Sequence, residues 1–424
     1  MSIRVESETG VLRRVLVHRP GPEIDRMIPE MMAELLFDDI LFGKQARREH
    51  RGFCEVLRLA GAETLEPQDL LAEVLAEQTL REEILAKVQS GYRIVPAPLA
   101  RLADLEPRQL AEALVGGVRA EPGAGSTKGA LFHLAPIPNY FFQRDPQAVI
   151  GDRVIVSSMA TAAREREAKI ARILFDHHPA LQGHAGLLPI GDGAGGANEH
   201  DPDFAHPTLE GGDVLVASAD TLLVGISERT NRRGMEVLAE QLRAHSTPFR
   251  NLLFVELPSR RSYMHLDTVF TFIDERTCLG FLPVVEAGHP ESAHVCHVDL
   301  TAQHLTFTIC GSLLEALADI DLEVDVVPCG GGTDIIDQER EQWTDGANAF
   351  ALAPGVILLY RRNRQTLLEL QDRGWRVVKE VEVLEGREEL LGQGRTVVTF
   401  LGNELSRARG GPRCMTMPLE REPV

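Results

Sequence analysis

The chain has 424 residues, of which 44% are hydrophobic and 25% charged, as is typical of a globular protein with a sizeable core. Its 44 basic and 63 acidic side chains give a formal net charge of −19, which argues against nucleic acid or an anionic membrane as the main partner. No apolar run reaches the ~18–20 residues that a membrane span needs, and the charged N-terminal stretch favours a cytoplasmic location. Six scattered cysteines without a C-x-x-C pair indicate reduced thiols.

The first part of the chain combines a weak strand pattern with a helical one. The stretch "GVLRRVLVHRPG" near the start has strand character, whereas Gln68–Arg119 is helical by period and poor in strand formers. We therefore expect an α/β unit formed by residues 1–67 and 131–424, with an inserted helical subdomain at 68–130. Two Gly- and Pro-rich loops follow, and the one at Pro189–Pro207 is long enough to form a lid or a mobile surface loop.

Three later segments share one pattern of strand, tight turn, strand and charged amphipathic helix: Asp145–Leu174, Gly212–Ala244 and Asn348–Val378. In the third, Asn363 is a candidate N-cap and Gly374 a helix-ending glycine. Weaker copies occur at the start of the chain and in "HLDTVFTFIDERTCLGFLPVV". A unit that recurs about five times predicts a closed array of like units, with a generic α/β protein as the alternative.

Four stretches carry polar residues at unusual places: "NYFFQRDP" with Asp145, "LEGGDVLV" with Glu210 and Asp213, "MHLDTVFTF" with His265 and Asp267, and "RGGPRCM" with Cys414. His265 and Asp267 are predicted to share one face of a strand. Each stretch alone has a plain structural explanation, such as a turn, a surface ion pair or a core cysteine. One cysteine, one histidine and several carboxylates at strand ends together indicate a thiol enzyme that acts on a cationic substrate.

This set of residue types suits attack on a guanidinium group. Two carboxylates can each hold the planar cation by charge-assisted hydrogen bonds, which fixes its carbon before a nucleophile. The arginines near Cys414, and the bound cation, are expected to favour the thiolate. A histidine can give a proton to departing ammonia and later take one from water. Gly410 and Gly411 are expected to let the cysteine loop move.

Other candidates carry less weight. The remaining cysteines lie in or beside apolar runs and are expected to be structural: Cys54, Cys278, Cys296, Cys310 and Cys329. The histidine-rich "FDHHPALQGH" lacks the ligand spacing of a metal site, and Trp343 is more consistent with packing than with substrate stacking.

Together these stretches resemble the arginine deiminase family of the guanidine-modifying superfamily, over nearly the whole chain. "AAREREA", "ISERT" and "EREQWTDGANAFALAPGVILLYRRN" add to the resemblance. It implies a pentein fold, which is a five-bladed ββαβ propeller with pseudo-fivefold symmetry and an inserted helical domain. It also implies an L-arginine substrate, no metal or organic cofactor, and a homo-oligomer, either a dimer or a tetramer.

The resemblance assigns roles residue by residue. Cys414 matches the nucleophile, His265 the general acid/base, Asp145 and Asp267 the guanidinium-binding pair, and Glu210 the partner of the histidine. Arg164 and Arg229 match the arginines that bind the substrate carboxylate, and Arg409 matches a mobile arginine of the cysteine loop. Asn139, Phe142 and Leu36 match residues that line the rest of the substrate.

Three positions depart from the family pattern, Gln143, Thr344 and Ala347, and they leave the substrate preference open. The predicted reaction is hydrolysis of arginine to citrulline and ammonia through an amidino-thioether on Cys414. Alternatives are an amidinotransferase, an arginine dihydrolase that gives ornithine, or a non-catalytic guanidinium-binding module. Agmatine is disfavoured because Arg164 and Arg229 would have no carboxylate to bind, and a papain-like protease because its cysteine comes early.

Overall fold

The computed structural model describes residues 2–92, 96–120, 131–191 and 206–424. The strands are β1 (Leu12–Leu16), β2 (Glu63–Leu65), β3 (Val118–Arg119), β4 (Phe132–Leu134), β5 (Gln147–Ile150), β6 (Arg153–Val156), β7 (Leu187–Pro189), β8 (Val214–Ser218), β9 (Thr221–Ile226), β10 (Asn251–Glu256), β11 (Phe270–Asp274), β12 (Thr277–Gly280), β13 (His294–Asp299), β14 (Thr306–Cys310), β15 (Asp325–Pro328), β16 (Phe350–Ala353), β17 (Val356–Tyr360), β18 (Arg376–Lys379), β19 (Thr396–Phe400) and β20 (Met417–Arg421). The helices are α1 (Pro22–Asp25), α2 (Pro29–Met32), α3 (Gly43–Leu59), α4 (Pro67–Leu75), α5 (Gln78–Tyr92), α6 (Pro96–Ala103), α7 (Pro107–Gly116), α8 (Glu165–His177), α9 (Arg232–Ala244), α10 (Leu282–Val285), α11 (Leu313–Ala318), α12 (Ile335–Trp343), α13 (Arg364–Asp372) and α14 (Glu380–Leu384).

One ββαβ unit is repeated five times. In each unit two strands pair antiparallel, a helix follows, and a third strand pairs parallel with the second strand. The five units are β5-β6-α8-β7, β8-β9-α9-β10, β11-β12-α11-β15, β16-β17-α13-β19 and β20-β1-α3-β2. The sequence prediction of a five-bladed ββαβ propeller is confirmed, including the three repeats read from turn and helix patterns.

Two units carry extra edge strands. The hairpin β13–β14 lies between α10 and α11 in the chain, yet it joins the second unit because β13 pairs with β10. In the fourth unit β18 pairs parallel with β19 at the edge of the sheet. These additions explain why the spacing of the repeats in the sequence is irregular.

The fifth unit is built from distant parts of the chain. Strand β20 pairs antiparallel with β1, so that Leu12 lies opposite Arg421, and β1 pairs parallel with β2. This register joins the last strand to the first and closes the ring of units.

Helix α13 begins as predicted but is capped by another residue. Asn363 occupies the N-cap position, but its side chain exchanges hydrogen bonds with Thr344. The carboxylate of Glu341 instead accepts the backbone N–H groups of Gln365 (2.7 Å) and Thr366 (2.8 Å). A carboxylate at this end also opposes the positive end of the helix dipole. Gly374 follows the helix with φ +83°, as expected of a helix-ending glycine.

Helices α4 to α7 occupy the region predicted as an inserted subdomain. Their apolar residues, among them Leu71, Leu75 and Leu110, belong to one buried cluster with Ile170 and Leu174 of α8. The chain division at 67/68 and 130/131 therefore remains a prediction. Residues 121–130, and most of the predicted loop at 189–207, lie outside the described residues. Among the helices of the described ranges, none is both long and apolar enough to cross a membrane.

The same position recurs at the start of every unit. Within a few residues before the first strand of each unit lies a buried polar or thiol side chain: Asp145, Asp213, Asp267, Asn348 and Cys414. Because the units are arranged in a ring, these five segments meet at its centre. The fold thereby assembles a site from segments that are far apart in sequence.

Candidate active site

A cavity of about 30 Å³ lies at the meeting point of these segments. Nine of the eleven predicted site residues line it: Leu36, Asn139, Phe142, Asp145, Arg164, Arg229, His265, Arg409 and Cys414. The other two contact lining residues, because Glu210 bonds His265 and Asp267 lies beside Cys414. The cavity has room for only about one or two water molecules, so an amino acid can enter only if lining side chains move.

Cys414 is held by its backbone and faces carboxylates. Its N–H donates to Asn348 Oδ1 (3.2 Å), its carbonyl accepts from the N–H of Arg144 (3.0 Å), and its Sγ lies 3.7 Å from Asp267 Oδ2. Burial, together with the charges of Asp267 and Asp145, raises the pKa of the Cys414 thiol well above its ordinary value. The thiol is therefore protonated at neutral pH.

The neighbouring arginines do not make Cys414 a thiolate, contrary to the expectation. Arg413 points to Glu8 and Asp267, and Arg407 pairs with Asp39 and Glu404. The guanidinium of Arg409 lies over the ring of Trp343, 3.5 Å from its centroid. Arg409 and Arg144 interact with the charge of Cys414, but burial and the carboxylates of Asp267 and Asp145 outweigh them and favour the thiol.

His265 and Asp267 do not lie on a strand, contrary to the prediction. Residues 266–268 form a short 3-10 turn that precedes β11, and His265 stands in extended conformation before it. His265 Nε2 lies 2.9 Å from Glu210 Oε2, and Nδ1 lies 3.7 Å from Asp145 Oδ1. Burial disfavours the charged ring, yet the carboxylates of Asp145, Glu210 and Asp213 outweigh it and raise the His265 pKa to about 9. The imidazole is thus a cation at neutral pH.

Glu210 complements this cation. Burial alone would raise the Glu210 pKa, but the hydrogen bond and charge of His265, with the charge of Arg164, lower it to about 2. The turn that follows Glu210 allows Glu210 and His265 to approach closely because Gly212 has no side chain. A Cβ there would come within 2.7 Å of the His265 ring and 2.9 Å of Asp145 Oδ1.

Asp145 and Asp267, the aspartate pair, each have one engaged and one unengaged oxygen. Asp145 Oδ2 accepts from Arg164 Nη1 (2.8 Å), and Asp267 Oδ2 accepts from Arg413 Nη1 (2.8 Å). Within the described part of the chain, the buried Oδ1 atoms of both aspartates have no hydrogen-bond partner. Buried polar atoms in this state are rare in folded proteins and suit a donor-rich ligand.

Each member of the aspartate pair is held by an arginine that also binds a glutamate. Arg164 contacts Glu167 through Nε and Nη2 (2.7 Å for the shortest contact). Arg413 contacts Glu8 in the same way, with both distances 3.0 Å. Arg413 also donates to the carbonyl of Val214 (2.7 Å) and is buried to 1% exposure. The structure thus contains two Glu–Arg–Asp networks, one at each member of the aspartate pair.

The residues predicted to bind the rest of the substrate all line the cavity. Asn139 Nδ2 donates to the carbonyl groups of Leu35 (2.9 Å) and Leu36 (3.3 Å), and Leu36 has φ +54°. Arg229 is buried at the cavity wall. Arg409 has φ +63°, and its Nε and Nη1 have no hydrogen-bond partner among the described residues. Trp343 is 46% exposed and packs against the Arg409 guanidinium at the surface.

Sequence reasoning missed several residues that support the site. Asn348 Oδ1 accepts the N–H groups of both Arg413 (3.1 Å) and Cys414, and its Nδ2 donates to the carbonyl of Asp267 (3.0 Å). Its place before β16 matches the place of Asp145 before β5, so alignment of the repeats would have found it. Glu8 has no such signal, because it lies in an irregular segment about 400 residues from Arg413.

The three departures from the family pattern have local explanations. Gln143 donates to the carbonyl of Tyr140 (2.5 Å), and Thr344 Oγ1 donates to Asn363 Oδ1 (2.6 Å). Ala347 is buried, and its carbonyl accepts the hydroxyl of Thr271 (2.6 Å). None of the three lines the cavity.

Asp145, Glu210 and His265 offer three ligand atoms within 4.8 Å of one another, which is close enough for a metal ion. The guanidinium of Arg164 already supplies positive charge there, since its Nη1 lies 2.8 Å from Asp145 Oδ2 and 3.8 Å from Glu210 Oε2.

In the histidine-rich stretch, His178 contacts Glu73, and His184 contacts the carbonyl of Phe175. All six cysteines are unbridged.

The fold is shared with solved structures of guanidine-modifying enzymes. An amidinotransferase of the saxitoxin biosynthetic pathway from Microseira wollei aligns with a TM-score of 0.56 at 14% identity, covering 100% of this chain and 98% of that chain. The N-terminal domain of ArgZ, an arginine dihydrolase from the ornithine–ammonia cycle in Cyanobacteria, aligns with a TM-score of 0.51 at 13% identity, covering 96% and 97%. At such identities the likeness shows the fold alone, which is the pentein fold.

Sequence comparison narrows the class further. Residues 33–421 match the family model described as arginine deiminase. The chain is 35% identical to an arginine deiminase of Bacillus thuringiensis subsp. konkukian over 439 aligned positions, covering 100% of this chain and 99% of the relative. It is also 35% identical to one of Listeria monocytogenes serotype 4b, covering 99% and 98%. The chain therefore belongs to the arginine deiminase family.

Proposed function

We propose that this protein hydrolyses L-arginine to L-citrulline and ammonia. The observation that carries the proposal is the buried aspartate pair beside Cys414, in which each Oδ1 has no hydrogen-bond partner among the described residues. A guanidinium group supplies N–H donors in one plane together with the positive charge that two buried carboxylates require. Membership in the arginine deiminase family supports the same substrate and reaction.

Substrate binding prepares the nucleophile. The cation of the substrate lies between Asp145 and Asp267, the carboxylates that raise the pKa of the Cys414 thiol. Their charge is then neutralised by the guanidinium, so the thiol loses its proton more readily. The thiolate faces the guanidinium carbon at short range, and sulfur attacks it without needing a strong base.

The reaction proceeds in two balanced steps. In the first step the bond between sulfur and the guanidinium carbon forms, one C–N bond breaks, and ammonia leaves with a proton donated by His265. The departing nitrogen also takes the proton lost by the thiol and leaves as ammonium, so His265 is neutral after this step. In the second step water attacks the amidino-thioether and His265 accepts one of its protons. The other proton goes to the sulfur of Cys414 as the C–S bond breaks, and citrulline leaves. Glu210 keeps the imidazole oriented and stabilises its charged form through the 2.9 Å contact.

The amino-acid end of arginine lies toward the basic wall of the cavity. Arg164 and Arg229 bind its carboxylate, and Arg409 approaches from the cysteine loop. Asn139, Phe142 and Leu36 contact its aliphatic chain and amino group. Arg164 is engaged with Asp145 and Glu167. Binding therefore exchanges the Arg164–Asp145 contact for one between Asp145 and the substrate.

This chemistry needs no metal or organic cofactor, because the cation is the substrate and the nucleophile is a protein thiol. We further propose a cytoplasmic protein that forms homo-oligomers, a dimer or a tetramer.

The test is turnover of arginine with both products counted. The purified chain is expected to release citrulline and ammonia in a 1:1 ratio, and mass spectrometry of a quenched reaction should find an amidino adduct on Cys414. Cys414→Ala should lose all turnover and the adduct, whereas Cys310→Ala, which removes a partly exposed thiol, should keep both. Ornithine as the product, or folded protein without citrulline over a broad pH range, would refute the proposal.

A further inference from the structure

Asp213 is a buried carboxylate to which the mechanism above gives no direct part. It lies just before β8, is 0% exposed, and belongs to the "EGGD" stretch together with Glu210. Its Oδ1 accepts the N–H of Leu266 (2.8 Å), the residue that follows His265. Its Oδ2 accepts the hydroxyl of Ser227 (2.7 Å), at the end of β9.

Ser227 connects Asp213 to the turn that carries Arg229. The Ser227 Oγ accepts the N–H of Arg229 (3.0 Å) and that of Thr230 (3.3 Å). The Thr230 hydroxyl is hydrogen bonded to the Asp213 carboxylate and accepts the N–H of Glu210 (3.1 Å). A single carboxylate therefore reaches, through one or two hydrogen bonds, the segments of His265, Arg229 and Glu210.

The neighbouring strand leaves room for this carboxylate. Gly225 on β9 faces it, and a Cβ at that position would collide with Asp213 Oδ1 and come within 2.9 Å of the Leu266 Cβ. A glycine inside a strand weakens it and often marks close approach of another group. Here the close approach is that of Asp213 and the His265 segment.

Asp213 also contributes charge. The charged groups that face His265 are Asp145 at 3.7 Å, Glu210 at 2.9 Å and the more distant Asp213, with Arg164 beside Glu210. Asp213 is the one among these carboxylates that does not contact the ring, so it acts through its field and through the backbone of Leu266. Burial raises the Asp213 pKa to about 7, and the charge of His265 opposes that rise.

We propose that Asp213 is a positioning residue that fixes the distance between the His265 imidazole and the Arg229 guanidinium. The inference rests on the proposed function, because His265 acts at the guanidinium end of arginine and Arg229 at its carboxylate end. That distance must match the length of the substrate, and a misplacement of about 1 Å can cost roughly 100-fold in rate.

The main test is Asp213→Asn, which keeps the size of the side chain but removes its charge and one acceptor. We expect kcat/KM for arginine to fall about 100-fold. Because His265 loses one favourable negative charge, the alkaline limb of the pH profile of kcat/KM should move to lower pH by about one unit. A structural role alone would lower the active fraction without moving this limb.

A second variant separates the two connections. Ser227→Ala keeps the Asp213 charge and its contact with Leu266 but breaks the connection to the Arg229 turn. KM should rise about tenfold with kcat changed less than threefold, since only the carboxylate end of the substrate is affected. Gly225→Ala displaces the Asp213 carboxylate without removing its charge. This variant should lower kcat/KM, but the alkaline limb of its pH profile should move by less than one pH unit.

The matched control is Asp220→Asn. Asp220 lies in the β8–β9 turn and also accepts two hydroxyl groups, from Ser218 (2.8 Å) and Thr221 (3.0 Å), but it is remote from the cavity. The Asp220→Asn variant should leave kcat, KM and both limbs of the pH profile unchanged. The proposal is overturned if Asp213→Asn keeps kcat/KM within threefold of the wild type, or loses activity with unmoved pH limbs. If that variant does not fold, an unchanged KM in Ser227→Ala overturns it.

The failure of the proposed function would look different. Wild-type protein without citrulline formation refutes the function, and Asp213 is then tested by NMR titration of histidine rings. The His265 signal, assigned by its loss in His265→Gln, should titrate at lower pH in Asp213→Asn than in Asp220→Asn. Equal titration midpoints in these two variants would overturn the role of Asp213 regardless of substrate.

Discussion

The two Glu–Arg–Asp networks at the aspartate pair have the same contacts but opposite electrostatics. In the Asp145 network (Asp145, Arg164 and Glu167), burial raises the Glu167 pKa to about 7 although Arg164 opposes the rise. In the Asp267 network (Asp267, Arg413 and Glu8), burial is outweighed by Arg413, Arg144 and Arg421, and the Glu8 pKa falls to about 2. The Asp145 network has an excess of acidic groups, and the Asp267 network has an excess of arginines.

The difference indicates which side can exchange partners. Arg164 lines the cavity and has two acids competing for it, whereas Arg413 does not line the cavity and is saturated by Glu8, Asp267 and a carbonyl group. We therefore expect the Asp145 network to open when a cation binds, and the Asp267 network to hold the cysteine loop in place. Identical hydrogen-bond geometry does not imply identical function when the surrounding charges differ.

The largest expected effect is on stability. Glu8→Gln leaves three buried arginines with less countercharge and should lower the free energy of unfolding by about 3–5 kcal/mol, as for other broken buried pairs. Glu167→Gln, its counterpart in the Asp145 network, should cost only about 1 kcal/mol, because the native group is already partly protonated near pH 7. Urea denaturation at pH 7 measures both, and equal losses would contradict the contrast between the networks.

The second prediction concerns pH. The His265 pKa is raised to about 9, so the stabilisation from its charge is complete below pH 6.5 and is lost as the pH rises through about 9. The free energy of unfolding should fall in this window by an amount on the order of 1–3 kcal/mol more in the wild type than in His265→Gln. Asp145→Asn should flatten the slope, whereas Asp267→Asn should not. If the free energy of unfolding falls equally steeply with pH in those two variants, His265 is not coupled to the Asp145 network.

A third prediction tests exchange at Arg164. Arg164→Lys cannot make the forked contacts of a guanidinium, so KM for arginine should rise about 10- to 100-fold. The preference for arginine over agmatine, which has no carboxylate, should shrink by the same factor. Arg108→Lys, whose exposed side chain pairs with Asp69 (3.0 Å) in the helical region, provides the control. An unchanged preference would mean that Arg164 does not bind the substrate carboxylate.

The smallest effect is expected at Trp343. Its ring stacks on Arg409, a contact worth roughly 0.5–1 kcal/mol at an exposed site. Trp343→Phe should therefore change KM less than about fivefold. In the wild type, arginine should change the tryptophan fluorescence if Arg409 moves. The signal should vanish in Trp343→Phe, which keeps the buried Trp375. A fluorescence change that persists in the variant would show that Trp343 does not report on Arg409.

Much of this site could be predicted from the sequence because the ββαβ unit is repeated. Strand, turn and helix patterns are local, so the three clear repeats and the residues before their first strands could be found. His265 and Asp267 were misplaced on a strand, because a short 3-10 turn and the start of a strand have similar local patterns. The pKa of Cys414 could not be predicted: its sequence neighbours are arginines, but in the folded protein burial and the charges of Asp267 and Asp145 outweigh them.

Long-range partners account for the rest. Glu8 binds Arg413, and Glu341 rather than Asn363 caps α13, and neither pairing has a local signal. The resemblance to a family supplied the roles of Arg164 and Arg229, but not the engagement of Arg164 by Asp145 and Glu167. Such contacts depend on how distant segments meet, which the pattern of a single sequence does not specify.

The union of β20 with β1 has a consequence for the timing of activity. Cys414 stands three residues before β20, so its sulfur reaches the cavity that His265 lines only when segments some 400 positions apart have paired. Contacts of such sequence separation form slowly, because a large loop must close first. A chain in which β20 and β1 have not yet paired cannot hydrolyse arginine. Arginine turnover therefore measures the fraction of chains that have finished folding.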